Sequence, residues 1–164
     1  MRSNQLVTRD VIANRTNASA SLKSSRAATV HRHFASVPLF SECSKRELRL
    51  LTKMAVVEPR ASGATLVTQG ATGTDAYVIL QGECRVVRNG RRVGKIEAGG
   101  IVGELSMLNR APRNATVVAE SPLEVAILQQ AQFFALLEKS PSISHKLLKR
   151  LAARVQELDT RTLS

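Results

Sequence analysis

The chain has 164 residues, which fits one domain with a tail, and 43% of them are hydrophobic, enough for a core. Trp is absent and aromatics make up 3%, so aliphatic side chains must build that core. A formal charge of +11 raises non-specific affinity for polyanions but says nothing about fold. The two cysteines, Cys43 and Cys84, are too few for a four-thiolate metal cluster and form no CxxC pair. No apolar run approaches the roughly 20 residues of a membrane span. These features lead to the expectation of a cytoplasmic chain with free thiols and no metal.

Residues 1–30 mix small, polar and basic types, with only Asp10 against six Lys/Arg in residues 1–33. They read as a disordered basic arm, with a short helix near Leu6–Ala13 at most. The Arg/Ser-rich, acid-poor composition also resembles a transit peptide, a reading the arm makes unnecessary. The folded domain is expected over residues 31–160. Val37-Pro38-Leu39-Phe40 is an apolar plug. Ser44 and Glu47 match a capping box, and Leu48, Leu51 and Met54 mark the buried face of the helix that follows.

From Val56 the punctuation changes to short β-branched runs between glycines. Strands are expected at Val56–Arg60, Thr65–Thr68, Ala76–Gln81, Glu83–Arg88, Arg91–Ile96, Ala115–Ala119 and Leu123–Leu128. Asn89-Gly90 is a two-residue hairpin turn. Closely spaced short strands point to a small β-barrel or a jelly roll, and the absence of βαβ alternation excludes a Rossmann fold. After Gln129 the pattern turns helical. A short helix carries Phe133, Phe134, Leu136 and Leu137. Ser140 and Pro141 then open another, about residues 141–159, with Ile143, Leu147, Leu151, Val155 and Leu158 on one face. The fold class is mainly β with flanking α: helix, barrel with one helical insert, then helices.

The segment from Gly103 to Thr116 carries the chemistry. Gly103 lets backbone approach a ligand closely. Glu104 can accept hydrogen bonds from ribose hydroxyls. A short turn over Leu105, Ser106, Met107 and Leu108 has free amides for an anion. Arg113 offers a planar fork to phosphate oxygens. On residue types alone, an ordinary surface turn explains the same segment.

The pattern Val102-Gly103-Glu104-Leu105-Ser106-Met107-Leu108, with Pro112-Arg113-Asn114-Ala115-Thr116-Val117, resembles the phosphate-binding cassette of cyclic nucleotide-binding domains. Tyr77-Val78-Ile79-Leu80-Gln81-Gly82-Glu83 is similar to that family's strand and turn before it. The resemblance covers roughly residues 34–158. It implies that Glu104 binds the ribose 2′-hydroxyl and Arg113 the cyclic phosphate. Amides around Leu105 and Ser106 complete the cradle, and Gly103 allows the approach. Asn114 follows the arginine, where hydroxyl residues favour guanine and Ala favours adenine in this family; its amide both donates and accepts. Val102 replaces a common aromatic.

The resemblance further implies a regulatory sensor with no catalytic residue and no cofactor. Its ligand is cAMP more readily than cGMP. The helix near 141–159 acts as a lid that signals to an effector protein, and its apolar stripe packs either on its own barrel or on a second chain as a homodimer. The residues up to Ser164 hold no helix-turn-helix, and the expectation is a stand-alone module, a subunit of a larger assembly or a fragment. Nucleic acid is the alternative partner, on the strength of the basic arm and the Lys146–Arg154 face; a degenerate sensor for another ligand is a further alternative, against which Glu104 and Arg113 both stand. A metal-dependent cupin needs histidines on the strands, whereas His31, His33 and His145 lie outside the expected barrel.

Overall fold

The computed structural model describes residues 5–162. In chain order it contains α1 (Gln5–Ser36), a 3-10 turn (Pro38–Phe40), α2 (Lys45–Met54), β1 (Val56–Arg60), β2 (Thr65–Val67), β3 (Ala76–Gln81), β4 (Glu83–Arg88), β5 (Arg91–Glu97) and β6 (Ile101–Val102). There follow α3 (Glu104–Asn109), β7 (Thr116–Ala119), β8 (Leu123–Leu128), α4 (Gln130–Lys139) and α5 (Pro141–Thr162). Two four-stranded antiparallel sheets, β1-β8-β3-β6 and β2-β7-β4-β5, face each other. The architecture is the expected jelly roll with flanking helices.

The strand periodicity explains how the two layers join. In β3, Ile79 points into the barrel with Cys84, Val102, Val117 and Val125. Its neighbours Val78 and Leu80 point the other way, into a cluster with Phe34, Phe40, Leu51 and Phe133. In β8, Val125 and Ile127 face inward while Ala126 and Leu128 face the helices. Both strands are covered on both sides, so their sequences lack polar alternation. The helix cluster is built on aromatic contacts despite the scarcity of rings. Phe34 stacks on Phe40 with centroids 5.8 Å apart and planes at 7°, and Phe40 meets Phe133 at 6.4 Å.

The capping box at α2 is present in both directions. The Ser44 N–H donates to Glu47 Oε2 at 2.7 Å, and the Glu47 N–H donates to Ser44 Oγ at 3.2 Å. Lys146 of α5 also reaches Glu47 Oε2 at 2.7 Å, bolting the first turns of α5 onto α2. Hydrogen bonds from Lys146, the Ser44 amide and Ser142 outweigh burial, which on its own would raise the Glu47 carboxyl, and hold it down at about 2.

Two elements differ from the expectation. Of the disordered arm expected over residues 1–30, the described part is instead helical from Gln5 onward, and residues 1–4 lie outside the described residues. No Gly or Pro interrupts Gln5–Ser36, and the last turns dock through Val30 and Phe34, so an anchored end propagates into a composition that looked disordered. The short strand β6 was not expected. It is two residues long, Ile101 and Val102, and pairs with Val78 and Tyr77 of β3. The apolar stripe of α5 divides: Ile143 and Leu147 are buried, Leu151 is half-buried, and Val155 and Leu158 are exposed.

Candidate functional site

The cassette residues converge because β6 ends in a left-handed glycine. Gly103 has φ +81 and caps α3, turning the chain so that Glu104 opens the helix. Its carbonyl accepts a hydrogen bond from Arg113 Nη1 at 3.2 Å. A side chain at 103 would run into that guanidinium, and one at Gly73 would meet Arg113 Nη2 at 2.8 Å. Both glycines are therefore clearance for Arg113.

Arg113 is 6% exposed, one of two buried polar or charged residues described. Its Nη2 donates to the Asp75 carbonyl at 2.8 Å. Its backbone is held as firmly: Arg113 N–H donates to the Ala71 carbonyl at 2.9 Å, and the Gly70 N–H donates to the Arg113 carbonyl at 2.8 Å. Among the described residues no carboxylate forms an ion pair with it. A buried cation whose partners are all neutral carbonyls is electrostatically incomplete, and an anion completes it.

Gly103, Glu104, Leu105, Ser106, Arg113 and Asn114 all line one cavity of ≈ 230 Å³. Ser106 is buried, and Leu105 and Asn114 are exposed at the rim. The first bond of the α3 ladder is Met107 N–H to the Gly103 carbonyl at 3.1 Å, so the amides of Glu104, Leu105 and Ser106 precede it. Val102 is buried in the barrel core, a packing position. All six sequence candidates thus meet at one place.

Two arginines that sequence reasoning did not single out join them. Arg154 of α5 lines the same cavity and reaches Glu104 Oε1 at 3.3 Å, with the Glu104 side chain 15% exposed. Arg88, at the end of β4, lines it too, and its Nε donates to the Asn114 carbonyl at 3.1 Å. Residue types alone place Arg154 on a basic helix face. A groove of ≈ 550 Å³ runs on from the cavity between α5 and the β5–β6 turn, sharing Ile96, Ile101, Glu104 and Arg154 with it.

The histidines stand away from this chemistry: His31 and His33 are on α1 and His145 is on α5. Burial and nearby carboxylates push the Cys43 and Cys84 thiols up to about 11, which keeps both protonated near neutral pH. Among the described residues, no helix is long and apolar enough to cross a membrane.

Comparison with known proteins agrees with this geometry. The cAMP-dependent protein kinase regulatory subunit of Mycosarcoma maydis is 32% identical over 123 residues, covering 70% of this chain and 23% of that protein. The cyclic AMP receptor protein of Thermus thermophilus is 28% identical over 127 residues, covering 74% of this chain and 59% of that protein. The chain therefore spans less than two thirds of either relative. A solved cyclic nucleotide-binding domain from Methylobacillus flagellatus superposes with a TM-score of 0.69 at 30% identity, covering 85% of this chain and 83% of that one. With its barrel, its glycine-cleared arginine and a match of residues 58–140 to the model for the cyclic nucleotide-binding domain, the chain belongs to that family.

Proposed function

We propose that the chain binds a nucleoside 3′,5′-cyclic monophosphate, cAMP in preference to cGMP, and passes the binding event to an effector protein through α5. The observation that carries this reading is the buried, carboxylate-free guanidinium of Arg113 facing the cavity. Arg113 takes the cyclic phosphate, helped by the first-turn amides of α3 near Leu105 and Ser106. Glu104 takes the ribose 2′-hydroxyl. Asn114 sits beside the phosphate at the rim, where it meets the base edge. Relatives named for cAMP support the adenine ligand. The role is binding and signalling, without catalysis or a cofactor, in a reducing compartment such as the cytoplasm, where Cys43 and Cys84 remain free.

The two halves of α5 suit a signalling element. Its first turns are fixed by Ile143, Leu147 and the Lys146–Glu47 pair. Its later turns meet the site through Arg154, so a ligand that engages Glu104 alters what holds them. The exposed apolar side chains of α5, Leu148, Val155 and Leu158, fit an effector or a second copy of the chain. A nucleic-acid role has weaker support. The cations of the α5 face each have an acidic neighbour: Lys146 with Glu47, Lys149 with Glu42 at 3.8 Å, Arg150 with Glu157 at 3.9 Å and Arg154 with Glu104.

Calorimetric titration with cAMP and with cGMP tests the reading. Wild type is expected to bind cAMP more tightly. A charged hydrogen bond contributes about 1.5–3 kcal/mol, so losing the fork in Arg113→Ala weakens binding on the order of 10²-fold or more. Arg113→Lys restores charge but not the fork and recovers only part. Absence of binding to either nucleotide by wild type sinks the proposal.

A further inference from the structure

The cavity carries more positive charge than a cyclic phosphodiester returns. Its walls hold Arg88, Arg113 and Arg154 against the single carboxylate of Glu104. Arg154 is matched by Glu104, and Arg113 is the phosphate partner proposed above. Arg88 has neither kind of match. It forms no ion pair among the described residues, and its register partner across the hairpin is Arg91. Like charges directly opposite on paired strands are destabilising.

The hairpin that presents this cation is nevertheless fixed. Gln69 Nε2 donates to Asn89 Oδ1 and the Asn89 N–H donates to Gln69 Oε1, both at 2.8 Å. The Gln69 N–H donates to Thr116 Oγ1 at 2.9 Å. Arg88 itself spends its Nε on the Asn114 carbonyl, the residue next to Arg113. The two Nη groups retain four more donors. A guanidinium is thus tethered to the segment that bears the phosphate arginine, opposite the like charge of Arg91.

We propose that Arg88 is a second phosphate-directed cation of this site, which sets affinity for the cyclic phosphate whatever the base. The inference rests on the cyclic-nucleotide reading above. Arg88 and Arg113 line the same cavity, and Arg88 Nε bonds the carbonyl of the residue after Arg113, so an anion held by Arg113 offsets the Arg88–Arg91 repulsion.

The test is titration of wild type, Arg88→Gln, Arg88→Lys and Arg113→Ala with cAMP and cGMP at low and high salt. Arg88→Gln is expected to weaken both nucleotides by the same factor, about 3- to 10-fold for an exposed charge-assisted contact, and to flatten the salt dependence. Arg88→Lys keeps most of the affinity and the salt dependence. Three results overturn the inference: unchanged affinity in Arg88→Gln, a loss confined to one base, or equal damage from Lys and Gln, which would make Arg88 a brace for the Asn114 backbone. If wild type binds and Arg113→Ala abolishes binding while Arg88→Gln changes nothing, only this inference falls. If wild type binds neither nucleotide, the cyclic-nucleotide reading falls and this inference with it.

Discussion

Arg154 Nη1 lies 3.3 Å from Glu104 Oε1, tying the C-terminal helix to the first residue of α3 across fifty positions of chain. Beyond Leu151, the described side chains of α5 are mostly exposed, so this pair is a principal attachment of the later turns. Exposed ion pairs contribute only about 0.2–1 kcal/mol, so the attachment is weak enough to exchange. Arg154→Gln is expected to leave global stability within about 1 kcal/mol by this measure and to raise amide hydrogen exchange in residues 151–162. Exchange identical to wild type there would show that the pair holds nothing.

Gly103 cannot be enlarged without moving Arg113. Its φ of +81 disfavours any L side chain, and a Cβ there points at the guanidinium. Gly103→Ala is expected to lower stability by about 1–3 kcal/mol and to weaken nucleotide binding together with it. Denaturant melts and titration of the same variant check both. Gly63, also at positive φ but with nothing within 4 Å of its would-be Cβ and away from the cavity, is the control: Gly63→Ala carries strain alone and should leave binding intact.

The Glu47–Lys146 bolt has a pH signature. The Glu47 carboxyl is lowered from 4.5 to about 2 in the fold. A depressed carboxyl contributes stability that is complete above its unfolded value and lost as pH falls through the folded one. The contribution is therefore full above pH 4.5 and disappears on descending toward about pH 2. Glu47→Gln removes the charge at every pH. The stability gap between it and wild type should be constant near neutrality and close as pH drops across that window. A gap that persists at the acid end would assign the stabilisation to other groups.

The cassette was readable because its members are contiguous. Gly103 to Ser106 and Arg113 to Asn114 lie on two short segments of one stretch, and their chemistry survives translation into three dimensions. What the sequence hid came from elsewhere in the chain or from the backbone. Arg154 and Arg88 enter the cavity only through the direction of α5 and the register of β4, which residue types do not encode. The Asp75 carbonyl that holds Arg113 belongs to the main chain, so no side-chain identity announces it. Strand β6 is too short for a period-two signal. Ser, Thr, Asn and Arg in α1 suggest disorder, and what makes it a helix is Val30 and Phe34 four residues apart and the lack of breakers.

The wall formed by β3 and β8 also bears on how the chain must fold. With both faces covered, β3 carries Ala76-Tyr77-Val78-Ile79-Leu80 without an intervening charge, and its partner Val125 lies far along the chain from Ile79. Until β8 arrives, that segment is an uncharged, β-prone stretch with an open edge, the composition that seeds intermolecular pairing. Any variant or truncation that delays β8 therefore endangers solubility before it touches the ligand site, and loss of soluble yield from such a variant carries no information about nucleotide recognition.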